Sequence, residues 1–181
     1  MATIAESAVQ AALVDRLTTP DLGWRFVAGE DLDRDDDSVF VLGSLTASLE
    51  RLNPVIAELP SRVDQVLPKL RALLLTVADQ GLVAANEEMT AWLAGRRTMQ
   101  FIGTDEFVPV RLIDFEDPSA NDLIVSTEVT FAYGNERRRY DVVLWVNGVP
   151  LVVGETKTPV SEATSWFNGA KDICDAYELK T

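Results

Sequence analysis

Apolar residues recur at helical spacing through the first half of the chain and at strand spacing through the second. Over residues 3–17, Ile4, Ala8, Ala11, Val14 and Leu17 form a stripe, Thr3 and Glu6 fit a capping box, and Thr18-Thr19-Pro20 stops the helix. Residues 20–37 predict an irregular segment, because Gly23, Gly29 and the acidic run Asp33 to Asp37 oppose regular structure. That run is expected to be solvated, its last members favouring the N-terminus of the next helix. Residues 38–59 carry Val39, Leu42, Leu45, Leu49, Leu52 and Ile56 at helical spacing, with Pro54 placed to kink or divide the helix. A further stripe, Val63, Val66, Leu67, Leu70, Leu74 and Val77, contains Pro68 and runs to a stop at Gly81. Residues 82–94 predict one more helix through Leu82, Met89, Trp92 and Leu93, ended by Gly95.

The pattern changes at about residue 97. Thr98–Ile102, Phe107–Ile113, Leu123–Ala132, Arg138–Val146 and Val149–Glu155 are rich in β-branched and aromatic residues, and Gly134-Asn135 and Asn147-Gly148 are hairpin signals. After Pro159, residues 161–179 predict a helix capped by Ser161. The fold class is α+β: a mixed sheet flanked by helices, with a mostly helical N-terminal half. One domain over 1–181 is expected, with a helical part at about 1–96, a β-rich core at about 97–160 and a closing helix at about 161–181.

Composition narrows the chemistry. No apolar run approaches the roughly 20 residues of a membrane span, so no membrane partner is expected. The N-terminus has no basic segment leading into an apolar one, so no signal peptide is read. The single cysteine, Cys174, excludes an intramolecular disulfide and fits a reducing cytoplasm. The sequence contains no histidine, which removes His-ligated zinc, Ser-His-Asp and Cys-His catalysis, and HNH-type nuclease chemistry. A net charge of −13 argues against a free-standing nucleic-acid binder, since phosphate contacts supply most of that affinity. If the chain acts on DNA, something else delivers it.

The candidate chemistry lies in Tyr140 to Pro159, YDVVLWVNGVPLVVGETKTP. Two apolar strands meet at Asn147-Gly148, with Asp141 opening the first and Glu155-Thr156-Lys157 closing the second. Asp141, Glu155 and Lys157 could hold a divalent metal and a water beside a phosphodiester. Mg2+ takes one or two carboxylates, waters and a phosphate oxygen, and acidifies the water it binds. The same residues also fit a strand-edge Asp and a solvated Glu/Lys pair. Register decides between the two. A regular hairpin with a two-residue loop sets Asp141 across from Gly154 and Glu155 across from Tyr140, which puts the two carboxylates on opposite faces. They share a face only if a bulge shifts the pairing by one, and Pro150, which cannot donate to a ladder, is a plausible place for it.

Asp141 followed by Glu155-x-Lys157 resembles the PD-(D/E)xK nuclease motif. The surrounding text is more specific. Arg139-Tyr140-Asp141-Val142-Val143-Leu144, Val146-Asn147-Gly148-Val149-Pro150-Leu151-Val152 and Glu155-Thr156-Lys157 resemble the N-terminal nuclease domain of the R subunit of type I restriction enzymes. Leu52-Asn53-Pro54, Ile113-Asp114-Phe115-Glu116 and Asn121-Asp122 are similar to that family too, so the resemblance covers nearly the whole chain. It implies a restriction-endonuclease-like fold and Mg2+-dependent cleavage of double-stranded DNA, with Mn2+ able to substitute. It implies Asp141 and Glu155 as metal ligands, and Lys157 as the residue that orients the attacking water or stabilises charge at the phosphate. It also implies Glu6 as an acid of the N-terminal helix near the site, a position equally suited to a helix cap. Family members work with methylation and specificity subunits after an ATP-driven motor has moved the DNA. This sequence holds no GxxxxGK motif followed by Ser or Thr, so ATP would act only through motor domains absent from this chain. The reading leaves a fragment of a longer subunit or a stand-alone remnant. The family also carries a Gln four residues before a Tyr on the following helix. Tyr177 is kept here, but Ile173 stands at the Gln position, a departure expected to weaken activity or DNA contact or to mark a subfamily.

Arg137, Arg138 and Arg139 could contact DNA phosphates or simply protect a sheet edge. Trp24, Trp92, Trp145 and Trp166 predict core or interface anchors. The rival to a nuclease is a catalytically decayed docking module whose residues 38–94 bind methylation, specificity or motor subunits. The acidity and Ile173 favour it, while intact Asp141, Glu155 and Lys157 favour the enzyme.

Overall fold

The structure, a computed structural model, describes residues 6–157 and 170–171, apart from the side chain of residue 78. The chain forms two compact units, one of residues 42–122 and one built from the segments on either side of them. Thr3, the predicted helix over 161–179 apart from residues 170–171, Trp166, Ile173 and Tyr177 lie outside the described residues.

The unit of residues 42–122 contains α2 (Leu42–Leu52), α3 (Pro54–Glu58), α4 (Val63–Gln80) and α5 (Leu82–Leu93), followed by β2 (Thr98–Gln100) and β3 (Phe107–Pro109). Pro54 divides the expected helix and opens α3, where its missing N–H costs nothing. Buried Asn53 fills the break: its amide donates to the Leu49 and Arg111 carbonyls, and its Oδ1 accepts from the Arg111 N–H. The predicted stripes are buried at Leu45, Leu49, Ile56, Val66 and Leu70, whereas Leu74 and Leu82 of the same stripes are exposed. Pro68 sits in the second turn of α4 without ending it. β2 and β3 are shorter than expected, and among the described residues they pair only with each other instead of joining the larger sheet.

The other unit carries α1 (Glu6–Leu17), β1 (Arg25–Phe26), β4 (Leu123–Tyr133), β5 (Glu136–Val146) and β6 (Val149–Gly154). The sheet order is β1-β4-β5-β6. β4, β5 and β6 are antiparallel neighbours, whereas β1 runs parallel to β4 and makes the sheet mixed. The segment 20–37 is therefore not wholly irregular, since Arg25 and Phe26 pair with Ile124 and Val125 and the Val27 N–H continues the ladder to the Val125 carbonyl. The acidic run also departs from expectation. Arg34 folds back from within it, its guanidinium 4.3 Å from the centre of the Phe131 ring, and donates to the Ser38 and Thr130 carbonyls. α2 begins at Leu42 with no acid in its first turn, so the run does not complement that helix's macrodipole.

Leu32, Val41, Ile124, Val129, Val143 and Trp145 form the core of this unit, joined by Val27, Phe131, Tyr140 and Val153. Its membership breaks the strand rule. Ile124 and Val129 lie an odd number of residues apart, as do Tyr140 and Val143, yet they share one core. The switch occurs where Glu128 adopts a left-handed backbone, φ 57°. Pairing is in step on both sides of it, with Thr127 opposite Val142 and Val129 opposite Tyr140. Gly29 explains how the backbone is held there: a Cβ at that position would lie 2.6 Å from the Thr127 carbonyl oxygen and 2.8 Å from that of Glu128. Gly29→Ala is expected to lower the unfolding free energy by about 2 kcal/mol through overpacking against rigid backbone. Urea denaturation reads this, and an unchanged midpoint would refute the close approach.

Candidate active site

The hairpin that carries the candidate residues is irregular, as a shared site requires. Asn147 and Gly148 both have positive φ, 53° and 76°, the geometry of a tight two-residue turn matched to strand twist. Next to the turn the pairing is regular, Val146 with Val149 and Trp145 with Pro150. It then slips by one, so that Leu144 meets Val152, Val143 meets Val153 and Val142 meets Gly154. Leu151 is the unpaired extra residue, directly after the proline that has no N–H to offer. The slipped register, carried one step further, sets Glu155 across from Asp141. The regular register would have turned it to the other face.

The two segments also touch directly. The Thr156 N–H donates to Asp141 Oδ2 at 2.7 Å, and the Thr156 hydroxyl donates to the same oxygen at 2.9 Å. Among the described residues, Asp141 Oδ1 accepts no hydrogen bond, so one oxygen anchors the carboxylate and the other keeps its lone pairs. The Lys157 ammonium lies 3.9 Å from Glu155 Oε2, with side chains 27% and 18% exposed, a partly buried pair. Tyr140 borders the site. Burial pushes its phenol above the usual range, with Arg138 pulling down and Glu155 pushing up, so it stays protonated as a donor at neutral pH.

Glu6 opens α1, and one turn later Gln10 reaches the sheet. The Gln10 side-chain amide donates to the Asp141 carbonyl at 2.6 Å and to Glu128 Oε1 at 3.3 Å. Arg139, read as a candidate DNA contact, pairs through Nε with Glu128 Oε2 at 2.9 Å. Arg137 pairs with Asp36 at 3.2 Å. Tyr177 and Ile173 fall outside the described residues. Sequence reasoning passed over Thr156, Gln10 and Glu128. Thr156 was visible only as the middle of the Glu-x-Lys pattern, and Gln10 only as a polar residue four after Glu6. Nothing in LIVSTEVTF marks Glu128 as left-handed.

The donor set suits a hard cation. It offers carboxylate oxygens, with no histidine anywhere in the chain. Among the described residues no three or more potential ligands from His, Cys, Asp and Glu converge. Two carboxylates completed by water meet the needs of Mg2+, and would not make a closed Ca2+ cage or a structural zinc site. Among the described helices none is long and apolar enough to cross a membrane.

The family profile described as "Type I restriction enzyme R protein N terminus" matches residues 3–179. The chain is 39% identical over 74 residues to the putative type I restriction enzyme MjaIXP endonuclease subunit of Methanocaldococcus jannaschii, a match covering 39% of this chain and 7% of that protein. It is 28% identical over 170 residues to the type I restriction enzyme HindI endonuclease subunit of Haemophilus influenzae, covering 87% of this chain and 15% of that protein. The chain therefore spans only a small part of the length of these relatives.

The bond from Thr156 to Asp141 predicts an observable of its own. In Asp141→Ala the Thr156 amide loses a charge-assisted acceptor worth about 1.5–3 kcal/mol, and its hydrogen exchange should quicken by roughly tenfold or more. Exchange followed residue by residue in NMR checks this, and an unchanged rate at Thr156 would refute the contact.

Proposed function

The chain belongs to the family of type I restriction enzyme R protein N termini, and on that footing we propose that it cleaves double-stranded DNA with Mg2+ held by Asp141 and Glu155. The observation that carries this reading is the one-residue slip at Leu151: its register, continued one step past Val142 and Gly154, would set Glu155 across from Asp141. The bound metal would supply an acidified water and neutralise charge on the phosphate.

The chain's own residues divide the remaining work. Thr156 fixes the rotamer of Asp141 by holding Oδ2, so Oδ1 is the oxygen presented to the cation. Glu155 offers the second carboxylate from the facing segment. Lys157, already beside Glu155, orients the attacking water or meets the negative charge that develops on the phosphate. Glu6, at the start of a helix tied to the Asp141 main chain, stands as a further acid of the site. Arg139 and Tyr177 stand as DNA-contacting or site-supporting residues.

The net charge of −13 argues that this chain does not capture DNA alone. We place it in the cytoplasm, in a complex with methylation and specificity subunits, acting on DNA brought by motor domains of the same subunit. The acidity is also what favours the second reading, a docking module whose metal site has decayed.

Mn2+ titration calorimetry on this chain separates the two readings. Saturable binding is expected in the wild type and should be lost in Asp141→Ala and in Glu155→Ala. Leu151→Ala, which leaves the backbone register unchanged, should keep it. A wild type that binds no Mn2+ would favour the docking module.

A further inference from the structure

We propose that Gln10 and Glu128 are positioning residues of this site, clamping the main chain of Asp141 to α1; the proposal rests on the metal-site reading above. Gln10 gives one amide to two acceptors, the carbonyl of Asp141 itself at 2.6 Å and the Glu128 carboxylate at 3.3 Å. Glu128 spends its second oxygen on Arg139, two residues before Asp141, at 2.9 Å. Helix α1, strand β4 and strand β5 are thus tied together within one side chain's reach of the proposed ligand. Gln10 follows Glu6 by four residues, so the two share a helix face, and whatever fixes Gln10 also fixes Glu6 relative to Asp141.

The backbone of Glu128 is the second, independent sign. A glutamate has no local reason to adopt φ 57° in the middle of a strand. A glycine would sit there without strain, and the close approach of Gly29 holds the conformation in place. Strain retained where the surroundings over-determine it marks a side chain kept for use, and here that side chain bears on the residue proposed to hold the metal. Groups that hold a metal ligand in place shift metal affinity by about 10–100-fold when removed.

The test uses the 181-residue chain and sets metal affinity against stability. Mn2+ calorimetry and thermal unfolding of the metal-free protein are run on the wild type, Gln10→Ala, Glu128→Gly, Glu128→Gln and Asp141→Ala. Glu128→Gly should melt at or above the wild-type temperature, because glycine accepts the left-handed backbone, and yet bind Mn2+ about tenfold or more weakly. Gln10→Ala should weaken binding by a similar factor. Glu128→Gln keeps an acceptor oxygen and should recover part of the affinity. Wild-type affinity in both Gln10→Ala and Glu128→Gly, with Asp141→Ala inactive in binding, would overturn this inference and leave the metal site standing. A wild type that fails to bind Mn2+ would overturn the metal site and this inference together.

Discussion

The unpaired Leu151 is the constraint on which the rest of the site depends. One extra residue directly after a proline changes which side chains face each other for the remainder of β6. The slip is held from both ends. On the turn side Trp145 is fully buried and fixes β5 in the core, and the buried Asn147 starts a turn whose two residues both need positive φ. On the far side Asp141 takes two hydrogen bonds from Thr156, which would be out of reach in the regular register. The bulge therefore sets the register in which Asp141, in the middle of β5, lies against the segment that follows β6.

A second irregularity lies on the other side of β5, in β4, level with Asp141. Glu128 reverses the alternation of β4, and β5 changes sides in step, so that Val129, Phe131 and Tyr140 can join Val143 and Trp145 in one core. The sheet stays in register through the switch. Asp141 lies between Tyr140 and Val142, where the change of side happens. A polar residue there is neither buried with the core nor stranded on the opposite face. Its carbonyl is taken by Gln10 and its carboxylate by Thr156. The left-handed residue in β4 and the extra residue in β6 thus flank the same stretch of β5.

The charge of the molecule shapes how such a site would be used. At −13 the chain repels a polyanion at long range, and several of its arginines near the sheet are already paired, Arg137 with Asp36 and Arg139 with Glu128. Arg34 is turned inward over Phe131. Under the nuclease reading proposed above, such a site would depend on delivery of its DNA. The relatives to which the chain is similar are many times longer than the part it matches.

Much of this was legible in the sequence. The periods of the apolar residues gave α1, α2, α4, α5 and the three long strands, because residue spacing is a local property of the pattern, although no residue of α1 is buried. Pro54 dividing a helix and Asn147-Gly148 turning a hairpin follow from backbone chemistry alone. The pattern around Asp141 and Glu155-Thr156-Lys157 was sufficient to suggest a nuclease family and to state that a bulge was required. Only the tertiary structure decided that the bulge exists, since the choice between two registers depends on how Trp145, Asn147 and the facing strand pack. It also decided that Arg25-Phe26 joins the sheet in parallel, that Arg34 leaves the acidic run, and that Glu128 accepts a strained backbone under Gly29. Those are contacts between residues far apart in the chain, and no local rule of propensity or period carries information about them.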